Sequence, residues 1–267
     1  MVPSSSTMVQ TALRDLQQGL NAWPLWGLLG WNDIRQRYRR SLLGPFWLTA
    51  SMAIMVVSLG VIYSRIFKTD IEDFLPFLCV GLLVWSLISS ALNESGGLFI
   101  GAESYIKQVR LPFTLYAFRF VWSRLIIFGH NLIIYFGVLA YFKMWPGVLI
   151  LVAVPGLVLL IGNALFVCIY LGMASARFRD VPQIIGSLVQ VVFFLTPIMW
   201  KPEYLGAQSY LVMLNPFFHL IEIVRAPLLG QLPSPTNYAA VALITISNLL
   251  FASAFFVRFR SRIAYWV

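Results

Sequence analysis

Asp33–Trp47 reads DIRQRYRRSLLGPFW, and how this stretch is read decides the fold. Arg35, Arg37, Arg39 and Arg40 stand just ahead of the first long apolar run, with Leu42-Leu43-Gly44-Pro45 between them and it. Wound as a helix, the stretch and the residue pair before it put Trp31, Ile34, Tyr38 and Leu42 on one stripe while Arg37 and Arg40 face away, the pattern of a helix lying in a membrane interface. Arg35 and Arg39 flank the stripe, where long cationic side chains snorkel to phosphate level. Gly44-Pro45 stops the helix and turns the chain into the bilayer. Two uses of the charge stay open: an anchor that orients the first span, or a docking surface for anionic headgroups or a soluble partner.

Composition sets the class around that stretch. Of 267 residues, 60% are hydrophobic and 11% charged, with a mean hydropathy of +0.81, whereas soluble domains carry about 25% charged residues. An all-α integral membrane protein is expected, with an N-terminal segment over 1–46 and a single transmembrane domain over 47–267, because spans of about 20 residues each use up the chain. The net charge of +9 comes from arginines beside apolar runs, which points to membrane topology and anionic lipid and away from nucleic acid. Cys79 and Cys168 lie inside apolar runs, so neither a disulfide framework nor a metal knuckle is expected. The opening is polar, with a short helix expected around Thr11–Leu20; with no signal-peptide core before Trp23, the first span is expected to direct insertion.

Six transmembrane helices are predicted, near 47–67, 74–93, 113–142, 148–174, 184–200 and 238–257. Lys and Arg gather in the segment before the first span, in loops 94–112 and 175–183 and in the tail, so both termini are expected in the cytosol. The third run is too long for a simple span and carries Arg119 and Arg124 near its start; bare arginine in lipid costs several kcal/mol, so its lower part is expected to project into the cytosolic interface. Between the fifth and sixth spans, residues 201–237 stay apolar but are broken by Pro202, Pro216, Pro227, Pro233 and Pro235. Re-entrant or interfacial helices are expected there, tolerated only against protein or a water-filled cavity.

Chemistry-bearing residues are sparse. His130 and His219 are the only histidines, too few for a metal site, and no metal or cofactor is expected in this chain. No glycine precedes a lysine, so there is no phosphate-cradling loop and any ATP and Mg belong to a partner. No carboxylate stands mid-span as a relay would; Glu222 and Arg225, a turn apart, are expected to pair. The loop ESGGLFIGAESYIKQVRLP (Glu94–Pro112) has a short helical pattern with Glu94, Glu103, Tyr105, Lys107 and Arg110, and suits either a knob that transmits force from a cytosolic subunit or a plain interfacial helix. Arg177 and Arg179 mark a second contact loop. Trp47, Trp85, Trp145 and Trp200 fit an interfacial belt, while Tyr63, Tyr135, Phe193, Phe194, Phe217 and Phe218 are candidates to line a conduit, since aromatic faces suit sugar rings.

Four stretches together resemble the ABC-2 type permeases that export polysaccharides, especially those for the O-antigen of lipopolysaccharide: RYRRSLLGPFW (Arg37–Trp47), ARFRDVPQI (Ala176–Ile184), FLTPIMWKPE (Phe194–Glu203) and LNPFFHLIEIVRAPLLG (Leu214–Gly230). The resemblance implies a multi-pass homodimer in the bacterial inner membrane, bound to two copies of a cytosolic ABC ATPase and exporting a polyprenyl-diphosphate-linked polysaccharide. It further implies that Arg35, Arg37, Tyr38, Arg39, Arg40, Leu43 and Gly44 form a gate near the substrate's diphosphate, that Glu94–Arg110 is the coupling helix, and that the 202–230 hairpin, which carries Glu222 and Arg225, caps the conduit externally. Permeases for teichoic acid, capsule or a drug share the span pattern. A membrane enzyme acting on polyprenyl-phosphate lipids, with Asp33, Glu94, Glu103 or Asp180 as its acid or base, and a membrane scaffold are the other readings.

Overall fold

The computed structural model describes residues 5–37, 44 and 46–267, and every regular element among them is helical. Two helices lead. α1 (Ser5–Asn21) is longer than the short helix expected, and α2 (Trp23–Arg37) opens with Pro24 in its first turn, where the missing N–H costs nothing. On α1 the large apolar residues Val9, Leu13, Leu16 and Leu20 are exposed, and Ala12, Asp15 and Gly19 face the protein. A Cβ on Gly19 would lie 2.2 Å from Thr114 Oγ1, so only glycine admits this close approach. α2 divides its apolar stripe: Ile34 is buried and Trp31 is exposed. Tyr38, Arg39, Arg40, Leu42 and Leu43, and the side chain of Arg37, lie outside the described residues.

Five helices are long and apolar enough to cross a bilayer: α3 (Phe46–Ile66), α4 (Ile71–Glu94), α7 (Phe113–Phe142), α8 (Ala153–Arg177, prolonged by a 3-10 turn over Gly147–Val152) and α11 (Pro235–Phe259). The fifth expected span is realised as α9 (Val181–Leu195), whose 15 residues stop where Thr196-Pro197 turns the chain. At about 1.5 Å per residue, α7's 30 residues reach roughly 45 Å, more than the hydrocarbon layer's thickness.

α4 is the central helix, buried along most of its length against α3, α7, α8, α9 and a further helix, α10 (Pro216–Leu228). Asp70, Glu72 and Asp73 at its start complement the helix dipole. Between α9 and α11 a 3-10 stretch, Pro202–Leu214, meets α10 (Pro216–Leu228) at 106°. Asn215 makes that corner: its Oδ1 accepts from the Phe217 N–H at 2.9 Å while Pro216 takes the first helical position. α10 is buried deeply, and a Cβ on Gly156 of α8 would lie 2.5 Å from the Ile223 carbonyl oxygen. This bent pair is the re-entrant element that the proline spacing predicts.

Candidate functional site

One end of the bundle gathers most of the charge. Asp15 of α1 is wholly buried there and closes the start of α7: its carboxylate accepts from the Phe113 N–H at 3.1 Å, the Thr114 N–H at 3.0 Å and the Thr114 hydroxyl at 2.8 Å. Arg260, just past α11, donates to the same carboxylate through Nε at 2.7 Å. One side chain thus caps α7 and ties both ends of the chain to it. Sequence reading missed Asp15, because its partners stand 98 to 245 residues away.

Beyond this knot a groove runs along α7. Arg119 makes a two-pronged pair with Asp33 of α2, Nε to Oδ2 at 2.7 Å with Nη2 on the other oxygen, and Arg124 donates to Glu94 at the end of α4 at 2.7 Å. Both pairs line a cavity of about 320 Å³ together with Tyr116 and Ser123. A second cavity of about 310 Å³ shares Glu94 and Arg124 and continues between α3, α4 and α7, where Ser51, Ser86, Ser90 and Asn131 add polar groups. The Asn131 Oδ1 is buried without a hydrogen-bond partner. The sequence singles out Arg119 and Arg124 as cations that must avoid lipid, and the structure supplies the means: each has a carboxylate.

The expected coupling segment forms two short helices, α5 (Gly97–Ile100) and α6 (Glu103–Gln108). Leu98 and Phe99 root it in the protein, Leu98 filling the notch over Gly172 of α8. Above this root Glu103, Tyr105, Lys107 and Arg110 are all exposed. Lys107 donates to Glu103 at 2.6 Å, and that bond, with the added charge of Lys107 and of Arg179, lowers the Glu103 carboxyl below its ordinary range. Arg179 therefore stands close to α6. Arg177 lies over Phe178 and over Trp266 of α12 (Ile263–Trp266). Glu94, grouped with these residues on sequence, lines the α7 groove and accepts from Arg124. Arg35 is exposed on α2 and Gly44 adopts φ +56°.

At the bent pair, Arg225 is only 1% exposed. Its Nε and Nη2 donate to Glu222 at 3.0 and 2.6 Å, Nη1 donates to the Pro197 carbonyl at 2.8 Å, and the guanidinium lies 4.0 Å from the centre of the Phe77 ring. Both nitrogens of His219 are also engaged, with Asn237 at 2.8 Å and the Met213 carbonyl at 2.9 Å. The conduit candidates are dispersed. Phe193 and Phe217 both pack on Trp85, Phe218 is buried beside His219, and Phe194 is exposed on α9. Tyr63 joins Phe67 and Tyr204 at the α3–α4 turn, and the buried Tyr135 hydroxyl donates to the Leu228 carbonyl at 2.7 Å. Among the described residues no three of His, Cys, Asp and Glu gather as metal ligands would.

A family model described as ABC-2 type transporter matches residues 24–229. The chain is also similar to the O-antigen export system permease protein RfbA of Myxococcus xanthus, 22% identical over 236 residues that cover 87% of this chain and 91% of that protein. Two proteins of the same description from Klebsiella pneumoniae are 21% identical over 222 residues (82% of this chain, 84% of the relative) and 23% identical over 193 residues (71% and 74%).

Proposed function

This chain belongs to the ABC-2 type transporter family, and on that premise we propose that it is the membrane subunit of an ATP-driven exporter of polyprenyl-diphosphate-linked polysaccharide of the O-antigen type. The similarity to O-antigen export permeases runs through most of both lengths, which supports that substrate class. The working unit is a homodimer in the bacterial inner membrane with two cytosolic ABC ATPases, both termini on the ATPase side. ATP and Mg are handled by the ATPases, and this chain performs no covalent chemistry.

The observation that carries the reading is the α5–α6 knob. Its exposed crest of Glu103, Tyr105, Lys107 and Arg110 beside Arg179 offers a soluble partner charge and an aromatic anchor. Its root touches α8 through Leu98 and follows directly on the end of α4. Closure of the ATPases on nucleotide pushes this knob, and α4 and α8 carry the displacement to the dimer interface. Arg35, Arg37, Arg39 and Arg40 meet the diphosphate at the lipid-side gate formed with Tyr38, Leu43 and Gly44, since arginine's forked donors match phosphate oxygens.

The test is reconstitution. The chain co-purifies two-to-two with a nucleotide-binding subunit, and proteoliposomes move a lipid-linked glycan only with ATP. Tyr105→Ala with Arg110→Ala lowers transport at unchanged subunit folding, and Arg37→Ala with Arg40→Ala lowers transport with the ATPase still bound. Glycan movement with no ATPase present refutes the proposal.

A further inference from the structure

The α7 groove holds two cations whose carboxylate partners belong to other elements. Asp33 comes from α2, which leads toward the gate segment, and Glu94 from the corner where α4 passes into the α5–α6 knob. The partners are unequal in exposure: the side chains of Asp33 and Glu94 are 32% and 39% exposed, those of Arg119 and Arg124 are 24% and 10%. Each carboxylate thus lies nearer water than the cation it faces, and a buried charge depends on its counter-ions more than an exposed one does. The carboxylate is the more exposed member of each pair, by a wide margin at Glu94 and a narrow one at Asp33. Tyr116 adds a second, independent sign of a ligand: its side chain is buried, it lines the same cavity, and its hydroxyl has no hydrogen-bond partner. Two guanidinium forks and an idle hydroxyl around about 320 Å³ make a place for an anion with several oxygens.

We propose that this groove is an anion-operated latch, in which a phosphate or diphosphate takes Arg119 and Arg124 from Asp33 and Glu94 and thereby frees α2 and the α4–α5 corner to move. The inference rests on the exporter reading for the source of the anion, a lipid headgroup arriving from the bilayer. Its consequence is an ordering of events: the chain responds to substrate at the two elements that lead to the gate and to the ATPase before any nucleotide acts. Removing one competing carboxylate with the cation left in place therefore strengthens anion binding and moves α2 even without ligand, whereas a pair that only braces the fold gains affinity at most and moves nothing.

The test uses the full chain in nanodiscs with spin labels at Leu28→Cys on α2 and Tyr141→Cys at the far end of α7, both exposed positions; Cys79 and Cys168 are buried and stay unlabelled. The probes are undecaprenyl diphosphate, inorganic pyrophosphate and, as a neutral control, undecaprenol. Undecaprenyl diphosphate shifts the Leu28–Tyr141 distance distribution and undecaprenol leaves it unchanged. Asp33→Asn and Glu94→Gln each bind the diphosphate about tenfold tighter, the equivalent of about 1.4 kcal/mol, and move the resting distribution toward the bound one. Arg119→Gln weakens binding about tenfold; should that variant not fold, the two carboxylate variants decide alone. A shift with the lipid only assigns a headgroup latch, and a shift with pyrophosphate too assigns a latch open to free anions. Binding unchanged in Asp33→Asn and Glu94→Gln, or binding without displacement, overturns the latch. ATP-dependent export is measured on the unlabelled chain: export with immobile labels leaves the exporter reading standing, and displacement with no export in the reconstituted complex refutes that reading and leaves the latch.

Discussion

Asp15→Ala is predicted to be among the most damaging single substitutions in the chain. The carboxylate is fully buried and serves four donors, two of them the Phe113 and Thr114 N–H groups at the start of α7. Loss of such a cap costs about 1 kcal/mol, and breaking a buried ion pair by removing one partner costs about 3–5 kcal/mol. Arg260 keeps 24% of its side chain exposed and recovers part of its hydration, which selects the lower end, for a total of about 3–4 kcal/mol. Asp15→Asn keeps the shape and one acceptor but turns an amide NH2 toward other donors, so it costs nearly as much. Unfolding in mixed micelles of rising dodecyl sulfate fraction, followed by tryptophan fluorescence, gives the free energies. Because the two groups share one contact, the Asp15→Ala/Arg260→Ala cycle shows a coupling of about 1–2 kcal/mol. An Asp15→Ala cost below about 1 kcal/mol, or an additive cycle, refutes the capping argument.

Arg225→Ala removes the partner of Glu222 and the donor to the Pro197 carbonyl, and is expected to cost about 3–5 kcal/mol in the same unfolding assay; Arg225→Lys recovers little, since a single ammonium cannot serve both sites in the fork's geometry. Gly156→Ala puts a methyl group into the Ile223 carbonyl and is expected to cost about 1–3 kcal/mol by forcing α8 and α10 apart, again read from micelle unfolding. Glu103 titrates below the ordinary glutamate value of about 4.3 because Lys107 bonds and attracts it. Its contribution to α6 is accordingly whole above that ordinary value and is lost as pH falls through the lower folded one. Carbon-13 titration of the Glu103 carboxyl shows the low midpoint, and Lys107→Ala returns it toward the ordinary range.

What was legible in the sequence is what the bilayer or the local chain dictates. Continuous apolar runs mark α3, α4, α7, α8 and α11 because the backbone must satisfy itself within each span. Pro202 and Pro216 mark the bent pair because proline favours the first turn of a helix, where its missing N–H costs nothing, and Glu222–Arg225 is visible because its members are one turn apart. Asp33–Arg119 and Glu94–Arg124 are 86 and 30 residues apart, and no periodicity encodes such a pairing. The amphipathic reading of the N-terminal region names the helices but not their inward faces. Val9, Leu13, Leu16 and Leu20 point outward while Ala12, Asp15 and Gly19 make the contacts, the reverse of a soluble helix.

Among the spanning helices, too, small and polar residues make the contacts. Lipid tails are as apolar as leucine, so helices in a bilayer gain nothing by hiding apolar faces from them and associate through close backbone approach and polar bonds. Asn163 of α8 donates to Thr245 of α11 at 2.7 Å and accepts from Asn248 at 2.8 Å, and Tyr170 donates to Asn248 at 3.3 Å. These residues carry no charge and no relay chemistry, which is why a search for intramembrane carboxylates passes over them. They set the α8–α11 register, and Gly156 sets the α8–α10 distance on the same helix. α8 is therefore held by polar bonds to α11 and by close backbone contact to α10, while Gly172 receives Leu98 from the α5–α6 knob. α8 is thus the helix on which the α5–α6 segment, α10 and α11 all converge.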